Sequence, residues 1–154
     1  MELLTDISVR KTNHSKINEV DFQNLEFGRS VADHMLLCDY ADGGWKQPMI
    51  VPFSNLSLNP ATLALHYGQT VFEGMKVFRM QDGRINIFRL ERHYDRFIKS
   101  LERMCMVPPP KDVFIEGLLK LVETDKVWVP EQPGSALYLR PFMYASEAKF
   151  GIRF

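Results

Sequence analysis

In the run Leu137-Tyr138-Leu139-Arg140-Pro141, polar and apolar residues alternate, so a strand there turns a phenol and a guanidinium to one face and two leucines to the other. A hydroxyl and a guanidinium side by side can bind a carboxylate. An edge-strand tyrosine stacked on an arginine explains the same pattern without a ligand. A second group of cations, Arg89, Arg92, Arg96, Lys99 and Arg103, falls within an arc of about eighty degrees if the segment is helical. Arginine's planar fork suits phosphate oxygens, and a helix positions it better than a loop does. Glu91, Asp95 and Glu102 lie alongside, however, and a solvated, salt-bridged face explains most of these charges. Lys76 follows the segment Tyr67-Gly-Gln-Thr-Val-Phe-Glu-Gly-Met, a place where a lysine invites assignment as a nucleophile. The remaining lysines sit in polar or helix-surface contexts unsuited to imine exchange. His14, His34, His66 and His93 share no metal-ligand spacing and read as structural or surface residues. Cys38 and Cys105 lack CxxC spacing and read as reduced thiols, which fits a cytoplasmic compartment.

These side chains need elements to hold them. His34 to Tyr40 and Met49 to Phe53 are strand-like on either side of Ala41-Asp42-Gly43-Gly44, a hairpin whose second strand Pro52 should confine to an edge. A second hairpin joins Val77-Phe78 to Ile85-Ile87 through Gln81-Asp82-Gly83-Arg84, where Asp-Gly can supply positive φ angles. Leu90, Tyr94, Phe97, Ile98, Leu101, Met104 and Cys105 recur at helical spacing and stop before Pro108-Pro109-Pro110. Val113, Phe114, Gly117, Leu118, Leu121 and Val122 mark a second helix, after which Ser135 to Tyr144 reads as one strand. Residues 10–24 are polar without a period that could bury a face, so residues 1–24 are expected to form an arm ahead of a domain at 25–154. Short hairpin-joined strands with two consecutive helices predict an α+β, two-layer domain, a mainly antiparallel sheet covered by two helices.

Taken together, Tyr67 to Lys76, Arg96 within His93-Tyr94-Asp95-Arg96-Phe97, and Tyr138-Leu139-Arg140-Pro141 resemble the N-terminal half of branched-chain amino acid aminotransferases. These are fold-type-IV enzymes dependent on pyridoxal 5'-phosphate (PLP). The resemblance covers about Leu25 to Arg153, and its most discriminating part is Tyr-x-Arg-Pro. The D-amino-acid transaminase and aminodeoxychorismate lyase branches carry different residues there. It implies that Arg96 binds the PLP phosphate while Arg89, Arg92, Lys99 and Arg103 remain surface charges. It further implies that Phe27, Tyr67 and Phe72 line an apolar substrate pocket, and that Tyr138 and Arg140 shape its carboxylate end. Phe150 and Ile152 align with a loop that reaches toward the neighbouring subunit of a homodimer. The amino group of leucine, isoleucine or valine would pass to 2-oxoglutarate, with the corresponding 2-oxo acids as products. In the family the lysine that forms the Schiff base lies in a larger C-terminal domain, beyond Phe154, and the basic residue at the position of Lys76 is not the nucleophile. The residues here are thus expected to form a half-site, inactive alone. The alternative is a free-standing, non-catalytic domain that binds a ligand or partner.

Composition narrows the field independently. A chain of 154 residues that is 45% hydrophobic can build one core. Nineteen basic and nineteen acidic side chains cancel, which leaves no positive field for nucleic acid or an anionic membrane. Glu2 and Asp6 interrupt the start, no stretch approaches the ~20 apolar residues of a membrane span, and no signal peptide is expected. A small ligand suits such a surface.

Overall fold

The computed structural model describes residues 6–151. Along them run β1 (Ser8–Val9), β2 (His34–Leu37), β3 (Tyr40–Ala41), β4 (Gly44–Trp45), β5 (Met49–Pro52), α1 (Leu63–Tyr67), β6 (Thr70–Phe72), β7 (Met75–Arg79), β8 (Ile85–Ile87), α2 (Leu90–Arg103), α3 (Lys111–Thr124), β9 (Leu137–Leu139) and β10 (Phe142–Tyr144). The class is α+β, as expected. Instead of one sheet, the strands form four small ones, ordered β1-β5-β2, β3-β4, β10-β6 and β8-β7-β9.

The first hairpin turns at Asp42 and Gly43, both at positive φ (54° and 76°), which matches the twist of the flanking strands. In the second hairpin only Gly83 takes a positive φ, and the Asp82 carboxylate receives the Arg84 N–H instead. Pro52 does not make its strand an edge. β5 is central, paired antiparallel to β2 and parallel to β1, because β1 reaches only Met49 and Ile50 and asks no hydrogen bond of Pro52. The expected single strand from Ser135 to Tyr144 is also broken. Pro141 has no N–H to donate, and the chain changes sheets there: β9 pairs with β7, β10 with β6.

The core joins Val71, Met75, Val77, Ile87 and Leu139 of the strands to Phe97, Leu101, Phe114, Leu118 and Val122 of α2 and α3. Burying a side chain the size of Leu101 stabilises by about 1.5–3 kcal/mol. α3 also lies against β2, where Gly117 faces Leu36 so closely that a Cβ would come 2.7 Å from Leu36 Cδ2. α2 ends in a Schellman turn. Cys105 is left-handed (φ 54°), its N–H donates to Glu102 O, and Met106 N–H donates to Leu101 O at 2.9 Å.

The polar N-terminal segment is pinned by hydrogen bonds. Thr12 N–H donates to His34 Nε2, which fixes the His34 proton on Nδ1, facing Asp125 Oδ1 at 2.6 Å. Ser15 Oγ, the Lys16 N–H and the Trp128 indole all donate to Asp33.

Candidate functional site

From β6 through β7 the residues alternate between the interior and the surface, with Val71, Glu73, Met75 and Val77 buried and Phe72 and Lys76 exposed. The chain changes sheets at Glu73-Gly74, beside the change at Arg140-Pro141, and Glu73 N–H donates to Pro141 O at 2.8 Å across the two breaks. The outward residues on either side of this junction therefore meet although they belong to different sheets.

Tyr138 stands opposite Lys76 in the ladder, and its ring leans back over Gly74. A Cβ on Gly74 would lie 2.7 Å from Tyr138 Cζ, so only glycine leaves room for the ring. Arg140 Nη2 donates to Tyr138 Oη at 3.0 Å, and its guanidinium lies 4.4 Å from the centre of the Phe72 ring. Phe27 meets Tyr138 edge-on at 5.0 Å. The structure thus brings together Phe27, Phe72, Tyr138 and Arg140, which the sequence spreads over more than a hundred positions. No carboxylate pairs with Arg140 among the described residues. A cation with free N–H groups against the Phe72 and Tyr138 rings offers one end to an anion and the rest to an apolar body.

Tyr67 and Phe150 form a separate group. Tyr67 ends α1 ahead of Gly68, which is left-handed, and its Oη accepts the Gly151 N–H at 2.7 Å. Phe150 packs edge-on against His66 at 5.1 Å, and His66 Nε2 donates to Pro60 O. The segment 145–149 is laced to the start of α1 by Leu63 N–H to Glu147 O, Ala64 N–H to Ala145 O, and Lys149 N–H to Ala61 O. Among the described residues no ring contact or side-chain hydrogen bond links this group to the first. Ile152 lies outside the described residues.

Arg96 projects from α2 onto Glu73. Its Nε donates to Oε1 and its Nη2 to Oε2 at 2.7 Å, while 65% of its side chain stays exposed. Glu73 is 4% exposed, and Oε2 also accepts from His93 Nδ1 at 2.8 Å and from Gly74 N–H at 3.1 Å. Burial pushes the Glu73 carboxyl up, but the hydrogen bonds from Arg96, His93 and Gly74 outweigh it and hold it below its ordinary value. Against an ionised carboxylate, His93 must spend its Nδ1 proton on Glu73, so its 3.3 Å approach to Arg96 Nη2 sets two donors side by side and is not a bond. Elsewhere on α2, Arg92 faces Asp95 at 4.0 Å and Glu91 meets Lys111 at 3.2 Å, both in solvent.

The sequence gives Glu73 and Gly74 no role of their own, and His93 reads there as a structural or surface residue. Glu73 had a usable signal: it is a carboxylate in step with Val71, Met75 and Val77 on the inward side of the β6–β7 segment, where a charge requires a partner. A shallow surface cleft that includes Asp112, Glu116, Lys120 and Glu123 shares no residue with these groups. Among the described residues no three His, Cys, Asp or Glu side chains are placed to hold a metal, and no helix is long and apolar enough to cross a membrane.

Comparison with known proteins gives consistent matches. The chain is 42% identical over 134 residues to branched-chain-amino-acid transaminase 1 of Bacillus subtilis, covering 86% of this chain and 38% of that protein. It is 46% identical over 132 residues to a probable branched-chain-amino-acid aminotransferase of Streptomyces coelicolor, covering 84% and 36%. The fold is similar to that of the T.th. branched-chain amino acid aminotransferase complexed with N-(5'-phosphopyridoxyl)-L-glutamate (TM-score 0.60, 24% identity, 79% of this chain and 36% of that one). It is also similar to the enzyme of Thermoproteus uzoniensis with norvaline (TM-score 0.57, 21% identity, 77% and 36%). No family model matches. The chain spans little more than a third of the length of these relatives.

Proposed function

Because the chain is homologous to the branched-chain-amino-acid aminotransferases over most of its own length and spans little more than a third of theirs, we propose that it furnishes the phosphate and substrate side of such an enzyme's site. The reaction is transfer of an amino group from leucine, isoleucine or valine to 2-oxoglutarate, in a cytoplasmic homodimer. PLP, when bound, supplies the electron sink for this chemistry. The donor set fits its phosphate: Glu73 occupies one edge of the Arg96 guanidinium, and the outer edge remains for an anion. Phe27 and Phe72, with Tyr67 contributed from the separate group at the end of α1, receive the substrate's apolar side chain, the loop of Phe150 and Ile152 reaches toward the neighbouring subunit's pocket, and Arg140 with Tyr138 takes the carboxylate. An apolar pocket separates side chains one methylene apart by only about 1–3 kcal/mol, so three branched substrates share it.

Of the nine lysines, Lys149 is half-buried and the other eight are exposed. None pairs with the Arg96 or Arg140 groups. Lys76 stands in the open ladder opposite Tyr138, and the attaching lysine is assigned to another part of the enzyme. Residues 1–24 serve as the arm and 25–154 as its small domain. The large exposed rings Phe27, Phe72, Phe142 and Phe150 suit a unit that packs within a larger enzyme and speak against a free-standing, non-catalytic domain.

The observation that carries this reading is the convergence of Phe27, Phe72 and Arg140 on one another and on Tyr138, whose ring lies over Gly74. Titrating the chain with 4-methyl-2-oxopentanoate and following its NMR resonances tests it. Shifts are expected at these four residues, smaller ones with pyruvate, and none at Phe27 or Tyr138 in Arg140→Met. Shifts confined to other residues, or equal shifts with both acids, would refute it.

A further inference from the structure

We infer that Glu73, steadied by His93, is a positioning residue that sets which edge of the Arg96 guanidinium meets a phosphate. The inference rests on the reading of Arg96 as the phosphate ligand. A guanidinium has two forked edges, one of Nε and Nη2 and one of Nη1 and Nη2. Glu73 takes the first with both oxygens, leaving one proton on Nη1 and one on Nη2 as an outward fork and a second Nη1 proton beside it. Without that grip a side chain 65% exposed would sample many rotamers, and an anion would have to order it on binding.

Glu73 itself cannot swing. It is 4% exposed, lies between Val71 and Met75 on the inward face, and its Oε2 carries two further donors, the Gly74 N–H and His93 Nδ1. His93 sits one turn before Arg96 on α2, so carboxylate, imidazole and guanidinium tie the helix to the strand junction where the aromatic cluster begins. A phosphate held at the outer fork is thereby fixed relative to Phe72, the immediate neighbour of Glu73.

Removing the carboxylate's charge would also alter attraction for an anion, so the discriminating substitution keeps the charge and shortens the reach: Glu73→Asp. The probe is pyridoxamine 5'-phosphate, which lacks the aldehyde and does not attach to lysines, with pyridoxamine as the phosphate-free control. Glu73→Asp is expected to weaken pyridoxamine 5'-phosphate by about 3- to 10-fold, the scale of ordering one long side chain, and to have no further effect in an Arg96→Ala background. In the native chain the Arg96 Nε–H NMR signal should resist exchange at neutral pH and lose that protection only on acidification below the ordinary carboxyl range.

If native binding depends on Arg96 but Glu73→Asp binds as tightly, or weakens equally without Arg96, the positioning role is wrong and the phosphate reading stands. If Arg96→Ala binds as tightly as the native chain, or the phosphate adds nothing over pyridoxamine, the phosphate reading falls and the inference with it. Should Glu73→Asp not fold, the native Nε–H signal decides alone. Exchange at neutral pH as fast as that of a free arginine overturns the grip.

Discussion

Adding one methyl group at Gly74 should cost the protein Tyr138's place rather than any backbone freedom. Gly74 is not among the positive-φ glycines, so its backbone accepts alanine. The conflict is with the ring: the new Cβ would stand 2.7 Å from Tyr138 Cζ and 3.1 Å from Cε2, where ordinary contact begins near 3.4 Å. A tyrosine escapes only by turning about χ1 and χ2, which carries it away from both its partners. Losing the 3.0 Å hydrogen bond from Arg140 costs about 0.5–1.5 kcal/mol, and losing the edge contact with Phe27 costs a further 0.5–1.5 or so. Against this, alanine restricts the unfolded chain and returns about 0.4–1 kcal/mol. The expected net is a destabilisation of about 1 kcal/mol, a fall of roughly 2–4 °C in Tm for a chain of this size. Urea denaturation of Gly74→Ala, Tyr138→Ala and the double variant measures it. In the Tyr138→Ala background the sign should reverse, with Gly74→Ala stabilising by a few tenths to 1 kcal/mol or so. An equal cost in both backgrounds would show that the ring is not what the glycine accommodates.

Acid should unfold the protein partly through two carboxyls. Burial raises Asp33 and Glu73, yet the donors Ser15, Lys16 and Trp128 on the one, and Arg96, His93 and Gly74 on the other, bring each below its ordinary value, 3.8 and 4.5 respectively. A depressed carboxyl stabilises above its unfolded value and loses that contribution as pH falls through its lower folded value. Stability measured from pH 5 to 2 should therefore drop, and the drop should be shallower in Asp33→Asn; an unchanged slope would rule Asp33 out as a contributor. Cys105 closes α2 in a left-handed conformation that costs a side-chain-bearing residue about 1–2 kcal/mol, so Cys105→Gly should raise stability by about 0.5–1 kcal/mol after the glycine's unfolded-state entropy. Calorimetry showing a loss would place a stabilising role in the thiol that the geometry does not reveal.

The elements legible in the sequence were those governed by nearby residues. Asp42-Gly43 announces its turn because two adjacent positive φ angles need such residues, and Phe97-Leu101 and Phe114-Leu118-Val122 announce buried helix faces by spacing. What escaped depends on partners far along the chain. Pro52 looked like an edge marker because proline lacks a donor, but nothing local shows that the neighbouring strand stops short of it. Ser135 to Tyr144 looked continuous because alternation carries no record of which sheet a residue joins. The N-terminal segment looked loose because periodicity registers apolar burial and is blind to hydrogen bonds from Thr12 and Ser15 to residues about twenty positions away. Within the site, the Tyr138 and Arg140 face was readable by alternation, whereas the Glu73 grip on Arg96 joins the β6–β7 junction to a helix 23 residues along the chain.

The parallel pairing of Ser8–Val9 with Met49 and Ile50 closes the outer side of β5 at those two positions. A strand with one open side presents a row of free N–H and C=O groups that any extended chain can read, and isoleucine-valine stretches such as Ile50-Val51 are the kind that stack once so exposed. Among the described residues β1 covers two positions of β5, and release of this short strand would expose that edge. The hydrogen bonds that hold Thr12 and Ser15 help keep that cover in place and so oppose edge-to-edge pairing.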